Sequence, residues 1–200
     1  MKVLILSNNN NADILRDRLA DMGNEVMMYH DPVSADVIES LNPGLVISFN
    51  YRHIVKEDVI DLLGDRIINM HTSLLPWNKG ASPNIWSFID DTPKGVTIHR
   101  LEKGLDTGKI IVQKELTFDE DTETLASTYS RLNEEIVQLL LDNWDMISSG
   151  DYELKDQVGE GSYHRTSDLK ALLAGRELDY SMTIREFKFF IKEVALSGKA

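Results

Sequence analysis

The stretch KVLILSNNNNADILRDRLADMG, residues 2–23, shows the pattern that decides the fold. Lys2–Ser7 is a short and almost entirely apolar run, as expected for a strand that is buried on both faces of a parallel sheet. Asparagines follow it, and their side chains can cap a helix. Apolar residues then recur at helical spacing through Met22, and Gly23 ends the helix. The stretch therefore predicts a buried strand followed directly by a helix.

The same pattern repeats along the first half of the chain. Further strands are predicted at Glu25–Tyr29, at Leu45–Phe49, which should be buried, and at Ile67–Met70. Helices are predicted between them at Ser34–Leu41 and Lys56–Leu63. Such alternation with short links is typical of an α/β fold in which helices flank a mostly parallel sheet. Ligands of these folds bind beyond the carboxyl ends of the strands, and polar residues follow each strand here.

In the second half of the chain, the sequence predicts fewer and longer helices and strands. A short helix is expected at Asn84–Asp90, followed by a hairpin-like pair of strands at Gly95–Leu101 and Lys109–Leu116. One long helix is expected over Asp121–Ser148, where apolar residues form a single stripe. Its predicted cap is Asp121 or Thr122.

The residues after Gly150 differ in character from those before it. Helices are predicted at Asp168–Leu173, capped by Ser167 or Thr166, and at Ile184–Val194. We expect a catalytic domain over residues 1–150 and a C-terminal extension of loops and helices over residues 151–200. That extension can wrap the domain or form a subunit contact.

Composition limits the classes of function. The 200 residues suit one domain of ordinary size, and no apolar run is long enough to span a membrane. A net charge of −12 disfavours nucleic-acid binding, which depends on Lys and Arg contacts to phosphate. The absence of cysteine excludes disulfides and thiolate chemistry, and it suits a reducing cytoplasm. We expect a cytoplasmic protein with neither membrane nor nucleic acid as a partner.

Two polar residues at the end of the fourth predicted strand carry the chemical argument. Asn69 and His71 are two positions apart, so in extended backbone both side chains point to the same face. An amide donor beside a titrating imidazole is what acyl transfer needs to stabilise an oxyanion and move a proton. Asp106, between Gly104 and Gly108, lies in a loop that can present a carboxylate to His71.

Each of these residues also has an ordinary interpretation. An Asn at a strand end often forms a turn, a His there is often a surface group, and Asp-Thr-Gly is a common turn. The residues alone leave acyl transfer and this structural interpretation both open.

Other chemistries find less support. The segment after the first strand lacks the glycines of a dinucleotide or phosphate-binding loop. The five histidines show no spacing of four residues and no HExxH motif, so we expect no metal site. Ser73 is not in a GxSxG motif, which argues against a serine hydrolase.

The order and spacing of three motifs resemble the folate-dependent formyltransferases. They are NMHTSLLP at 69–76, NKGASPN at 78–84 and GLDTG at 104–108. The resemblance implies a Rossmann-like formyltransferase fold and N10-formyltetrahydrofolate as cofactor, with tetrahydrofolate as product. It implies a catalytic triad of Asn69, His71 and Asp106.

The resemblance also implies binding residues. Folate is expected to contact Tyr51, Arg52, His53 and Ile54 on one side and Gly104 and Leu105 on the other. The acceptor substrate is expected to contact Ser7, Asn9, Thr72, Ser73, Trp77, Lys79 and Asn84.

Within the family, three stretches most resemble the nucleotide-sugar N-formyltransferases: NYRHI, LPWNKGASPNIWSF and TPKGVTIHRLEKGLDTG. They imply formyl transfer to the primary amine of a dTDP- or UDP-linked amino sugar, with a homodimer as a possibility. A glycinamide ribonucleotide formyltransferase of purine synthesis is an alternative, although the glycine of its phosphate loop has no counterpart in Ser7–Asn11. A formyltetrahydrofolate hydrolase and a non-catalytic folate-binding protein are further alternatives. The tRNA formyltransferases look longer, because they carry a C-terminal barrel.

Overall fold

The computed structural model describes residues 1–197. In chain order the strands and helices are β1 (Lys2–Leu6), α1 (Asn11–Asp21), β2 (Glu25–Tyr29), α2 (Ala35–Leu41), β3 (Leu45–Phe49), α3 (Glu57–Leu63), β4 (Ile67–His71), β5 (Lys79–Gly80), α4 (Pro83–Ile89), β6 (Lys94–Arg100), β7 (Ile110–Leu116), α5 (Leu125–Asp142), α6 (Trp144–Ser149), β8 (Tyr163–His164), α7 (Thr166–Leu173) and α8 (Ile184–Ser197). A single 3₁₀ turn, Gly64–Arg66, precedes β4. None of the described helices is both long and apolar enough to cross a membrane.

The central sheet is mostly parallel. Its strand order is β2-β1-β3-β4-β6-β7, and β5 and β8 form a separate two-stranded sheet. Strands β1 to β4 pair in parallel, whereas β6 runs antiparallel to β4. The parallel strands therefore bring their carboxyl ends to one edge, which is where ligands bind in such sheets. The predicted α/β fold with a mostly parallel sheet is confirmed.

Hydrophobic burial explains why the inner strands of the parallel sheet form. All five residues of β3 are buried, and Val3–Leu6 of β1 are inaccessible to solvent. Side chains of α2 and α3, including Ile38, Val59 and Leu63, pack with these strands in one apolar cluster. Burying an aliphatic side chain of this size stabilises a fold by about 1.5–3 kcal/mol. The continuous apolar runs in the sequence are thus the central layer of the sheet.

The chain forms two compact units that interleave along the sequence. The first comprises residues 1–71, 97–113 and 136–157, and the second comprises residues 72–96, 114–135 and those from 158 onward. The second unit has its own apolar cluster, in which Phe187 and Ile184 of α8 meet Phe88 of α4. The predicted domain boundary at residue 150 stays a prediction, and residues 198–200 of the predicted extension lie outside the described residues.

The long helix predicted over Asp121–Ser148 is wrong in two respects. It is two helices, α5 and α6, which are separated at Asn143. The Asn143 side chain donates to Leu139 O at 2.8 Å, where the backbone N–H of a continuous helix would donate. The predicted cap is also wrong, because α5 begins only at Leu125 and Thr124 Oγ1 accepts from the backbone N–H of Ser127.

The predicted cap of α7 is also wrong. The residue before the helix is Arg165, and its backbone N–H donates to the Asp168 carboxylate at 2.7 Å. This bond holds the pKa of Asp168 below its usual range. The carboxylate of Asp168, the third residue of the helix, therefore caps its N-terminus, and neither Thr166 nor Ser167 does.

A substitution at Gly161 tests the packing of the second unit. Gly161 has φ +66°, and a Cβ there would lie 2.3 Å from Pro76 O, whereas a Cβ at Gly159 (φ +103°) would meet no atom within 4 Å. Both substitutions to Ala strain the backbone, but only Gly161→Ala adds a steric clash. We expect Gly161→Ala to cost about 1–3 kcal/mol of unfolding free energy beyond the cost of Gly159→Ala, measured by urea denaturation. Equal costs would contradict this packing.

Candidate active site

Sheet pairing brings three parts of the first unit to one edge. In the parallel pair of β3 and β4, Ser48 lies opposite Asn69 and Phe49 lies opposite Met70. The turn that follows β3 therefore starts beside the end of β4. Because β6 returns antiparallel to β4, it places His99 directly opposite Asn69. Opposite residues of an antiparallel pair share a face of the sheet, so these two side chains meet.

The three predicted catalytic side chains lie together. Asn69 Nδ2 donates to Asp106 Oδ1 at 3.2 Å. His71 Nδ1 lies 3.7 Å from Asp106 Oδ2, and the two side chains are only 8% and 10% exposed. At this distance and burial, the carboxylate stabilises a protonated His71 and orients its ring. One carboxylate thus touches both partners through its two oxygens.

The loop that carries Asp106 is tight and sterically specified. Asp106 itself has φ +53°, a left-handed conformation that Asp adopts more readily than most residues but still at a cost. Gly104 has φ +106°. A Cβ on Gly108 would lie 1.8 Å from Arg100 O, so only glycine fits there. The glycines on either side of Asp106 therefore allow the sharp path that turns its carboxylate toward β4.

His99 is a fourth member of the cluster that the sequence analysis missed. Its Nδ1 lies 2.7 Å from Arg100 O, and since a carbonyl only accepts, Nδ1 carries the proton. The neutral ring then offers Nε2 as an acceptor, 3.1 Å from Asn69 Nδ2. This arrangement fixes the Asn69 amide with its nitrogen toward His99 and Asp106. A polar residue in an apolar strand was the only available signal, because the register of β4 and β6 is not readable from sequence.

The loop after β1 and the turn after β3 also meet within the first unit. Asn8 Oδ1 accepts from the backbone N–H of Arg52 at 3.1 Å. Ser7 is buried, and its Oγ accepts from the backbone N–H of Asn9 at 3.2 Å. His53 Nε2 lies 3.2 Å from His30 O, at the end of β2. The predicted binding residues Ser7, Asn9, Arg52 and His53 thus share one part of the carboxyl edge.

The side chains of the predicted folate turn differ in their roles. The Tyr51 hydroxyl donates to Asp31 O and accepts from the backbone N–H of Val33, and burial raises the pKa of Tyr51. This side chain holds the loop after β2. In contrast, Ile54 is 86% exposed and Leu105, beside Asp106, is 50% exposed. Exposed aliphatic side chains on two loops that flank a polar cluster are suited to covering an apolar ring system.

The remaining predicted substrate residues belong to the second unit. Thr72, Ser73 and Asn84 are buried, whereas Trp77 and Lys79 are partly exposed. Ser73 Oγ donates to Trp77 O at 2.7 Å, which stabilises the turn. Asn84 Nδ2 donates to Leu125 O at 3.2 Å, and its buried Oδ1 has no hydrogen-bond partner among the described residues. The roles of these residues in substrate binding stay predictions.

Within the second unit, an aromatic pair links β8 to α4. The rings of Trp86 and His164 stack with centroids 3.8 Å apart and an interplanar angle of 2°. His164 Nε2 lies 2.8 Å from Asp90 Oδ2. Pairing of β5 with β8 aligns Lys79 with Tyr163. These contacts position the loop after β4, and sequence reasoning did not foresee them.

The family follows from comparison with known proteins. A model of the formyl transferase family matches residues 3–143 of this chain, which therefore belongs to that family. The resemblance expected from the three motifs is confirmed. Among the described residues no group of His, Asp and Glu side chains is arranged to hold a metal ion.

Three individual proteins illustrate which members of the family this chain is similar to. The dTDP-4-amino-4,6-dideoxyglucose formyltransferase of Mycobacterium tuberculosis is 31% identical over 193 residues, covering 90% of this chain and 79% of that protein. The formyltransferase PseJ of Anoxybacillus kamchatkensis is 39% identical with a TM-score of 0.85, covering 94% of this chain and 97% of PseJ. PseJ was solved with UDP-4,6-dideoxy-4-formamido-L-AltNAc and tetrahydrofolate. A sugar N-formyltransferase from a Shewanella species is 26% identical with a TM-score of 0.77, covering 98% of this chain and 88% of that protein.

The tautomer of His99 tests the geometry of the cluster. We expect nitrogen NMR to show the neutral His99 ring protonated on Nδ1, because that nitrogen faces a carbonyl. His164 is an internal control with the opposite preference, since its Nε2 lies within hydrogen-bond distance of the Asp90 carboxylate, at 2.8 Å, whereas His99 Nε2 lies 3.6 Å from Asp106 Oδ1. Asn69→Leu removes the donor to Nε2 but leaves the Arg100 carbonyl at Nδ1, so we expect His99 to keep its proton on Nδ1 in this variant. A wild-type His99 protonated mainly on Nε2 would contradict the arrangement.

Proposed function

We propose that this chain transfers the formyl group of N10-formyltetrahydrofolate to the primary amine of a nucleotide-linked 4-amino-4,6-dideoxy sugar. The observation that carries the proposal is the largely buried cluster of Asn69, His71 and Asp106 at the carboxyl edge of a formyl transferase fold. The similarity to PseJ and to the mycobacterial enzyme supports the sugar class, because the compound solved with PseJ and the substrate in the mycobacterial enzyme's name both carry a nitrogen at C4 of such a sugar. One of these sugars is linked to UDP and the other to dTDP.

The first unit offers suitable partners for a folate. The apolar side chains of Ile54 and Leu105 are exposed on two loops of this unit, one after β3 and one in the catalytic loop. Arg52 is also exposed and provides a cation for the anionic end of a folate or for a diphosphate. The folate supplies the formyl carbon that the amine attacks.

The residues of the cluster have complementary roles in the transfer. The sugar amine must be neutral, because an ammonium has no lone pair. As the new C–N bond forms, negative charge grows on the formyl oxygen, and protonated His71 and the Asn69 amide donate hydrogen bonds to it. Asp106 accepts the proton that the amine loses, and this proton ends on N10 when the bond to the folate breaks. The balanced products are a formamide and tetrahydrofolate.

The hydrogen bonds of Asn69 suggest how the two steps are coupled. Both amide hydrogens are engaged, one with His99 Nε2 and one with Asp106 Oδ1. When Asp106 takes up a proton, its oxygen becomes a weaker acceptor. The amide hydrogen that points toward Asp106 is then available to a formyl oxygen placed beside the carboxylate, while His99 still holds the other hydrogen. Proton removal from the amine and stabilisation of the oxyanion are thereby linked through one carboxylate.

A cytoplasmic location, a homodimer and the absence of a nucleic-acid partner belong to the proposal as well. They rest on the sequence features described above, and size-exclusion chromatography with light scattering tests the oligomeric state directly.

Removal of the proposed oxyanion donors should abolish most of the activity. We expect Asn69→Ala and His71→Ala each to lower kcat by ~10²–10³ while leaving the protein folded, because one lost donor typically costs that much. The measurement is formation of the formylated sugar, with circular dichroism as the check on folding. Turnover near the wild-type rate in both variants would refute the assignment.

The carboxylate can be tested with a nearly isosteric change. Asp106→Asn keeps the shape of the side chain but cannot accept the proton of the amine, so we expect kcat to fall by at least ~10². Asp36→Asn, on the exposed face of α2, is the matched control and should retain full activity. If both changes have the same effect, Asp106 does not handle the proton.

The acceptor can be identified by a direct comparison. We expect turnover with a UDP- or dTDP-linked 4-amino-4,6-dideoxy sugar and none with glycinamide ribonucleotide. The preferred nucleotide sugar should also raise the thermal midpoint, because a ligand that binds only the folded state stabilises it. Formylation of the ribonucleotide alone would favour the purine pathway, and formate release without any amine would favour a hydrolase.

A further inference from the structure

We propose that Gln157 is a positioning residue that holds the loop of Asp106 in its catalytic conformation. This inference rests on the proposed function and extends it to a segment beyond α6 for which the sequence analysis found no role. Gln157 Nε2 donates to two backbone carbonyls, Asp106 O and Gly108 O, each at 2.8 Å. The two bonds span Thr107, so one side-chain amide closes the end of the GLDTG loop.

The segment that carries Gln157 is attached to the first unit along its length. Lys155 and Ile110 form an antiparallel bridge in which each backbone N–H donates to the other's carbonyl, at 2.8 and 2.9 Å. The Arg100 guanidinium lies over the Tyr152 ring at 5.1 Å. Lys109 Nζ pairs with Asp156 Oδ1 at 3.4 Å. These contacts bring Gln157 to the Asp106 loop on an anchored piece of backbone.

The orientation of the Gln157 amide is unambiguous. Both of its partners are carbonyl oxygens, which only accept, so the nitrogen must face them. The opposite atom, Oε1, is buried and has no hydrogen-bond partner among the described residues. A side chain that only filled space would favour an apolar group there, because a buried unpaired oxygen is unfavourable. The donating end of the amide therefore explains why a glutamine suits this position.

The bonds matter because the Asp106 carboxylate has to be placed accurately. Asp106 has a left-handed backbone conformation, and its carboxylate lies 3.2 Å from Asn69 Nδ2 and 3.7 Å from His71 Nδ1. A displacement of about 1 Å at a reacting group can lower a rate about 100-fold. Without Gln157 the strained loop can relax, and the carboxylate then loses its position between the two partners.

Two substitutions at Gln157 test the donation. Gln157→Ala removes the amide, and Gln157→Glu keeps its size but presents two acceptors to the two carbonyls. We expect each to lower kcat about 10- to 100-fold with little change in KM for either substrate. Gln138→Ala is the matched control, because Gln138 is exposed on α5 and donates to Asp142 there. A kcat within twofold of wild type in both variants, or a loss confined to KM, would overturn the proposal.

A double-mutant cycle separates positioning of Asp106 from a general structural effect. If Gln157 acts through the carboxylate, Gln157→Ala should lower the rate less than about twofold in the Asp106→Asn background. A structural defect would lower it by the same factor in both backgrounds, and that result would overturn the proposal.

Hydrogen exchange tests the loop without any activity. In Gln157→Ala, the amides of residues 104–109 should exchange faster than in wild type, while those of β3 should not change. Unchanged exchange in the loop would overturn the positioning role of Gln157, whatever the catalytic rates. If the wild-type chain formylates no acceptor while the loop exchange responds as expected, the proposed function fails and the positioning of the Asp106 loop by Gln157 stands.

Discussion

The two oxygens of one buried carboxylate, that of Asp106, organise the candidate active site. One oxygen accepts from the Asn69 amide and the other lies beside His71. A charged group with so little exposure is stable only where donors and a cation surround it. The rest of the cluster follows from this need: His99 orients the amide, β4 presents both partners on one face, and glycines allow the loop its sharp path. The fold provides the carboxyl edge of the sheet, and the Asp106 carboxylate determines which hydrogen-bond donors must lie there.

The parts of this arrangement that sequence could predict are those with local causes. The strands Glu25–Tyr29 and Leu45–Phe49 were predicted with the bounds observed. Leu45–Phe49 is buried throughout, as a continuous apolar run in a parallel sheet should be, whereas Glu25–Tyr29 is an edge strand that is only partly buried. Asn69 and His71 could be paired because alternate residues of a strand share a face. Asp106 was assigned through a loop motif, and its placement beside them is now visible in the structure.

The parts that sequence missed depend on register and on distant contacts. His99 meets Asn69 only because β6 pairs antiparallel with β4 at one particular offset, and no local pattern encodes that offset. Gln157 reaches the loop from a segment that has no periodicity of its own. The break at Asn143 was missed for a different reason: an apolar stripe continues through it, while a single side-chain bond to Leu139 O interrupts the helix.

Strain and an unsatisfied polar atom around the loop of Asp106 indicate that this part of the structure serves something besides stability. Folded proteins pair nearly all their buried polar atoms, so each exception needs a reason. Around one loop lie a left-handed Asp106 and a buried Gln157 Oε1 that has no hydrogen-bond partner within residues 1–197. The Asn69 amide beside them has both hydrogens bonded, one to His99 and one to Asp106. The left-handed conformation and the unpaired oxygen are unfavourable for an isolated domain, whereas the Asn69 amide is fully paired. A strained loop that holds a fixed hydrogen-bond donor is what preorganisation for a reaction requires. The strain in the GLDTG loop is therefore better understood as part of the chemistry than as a defect of the fold.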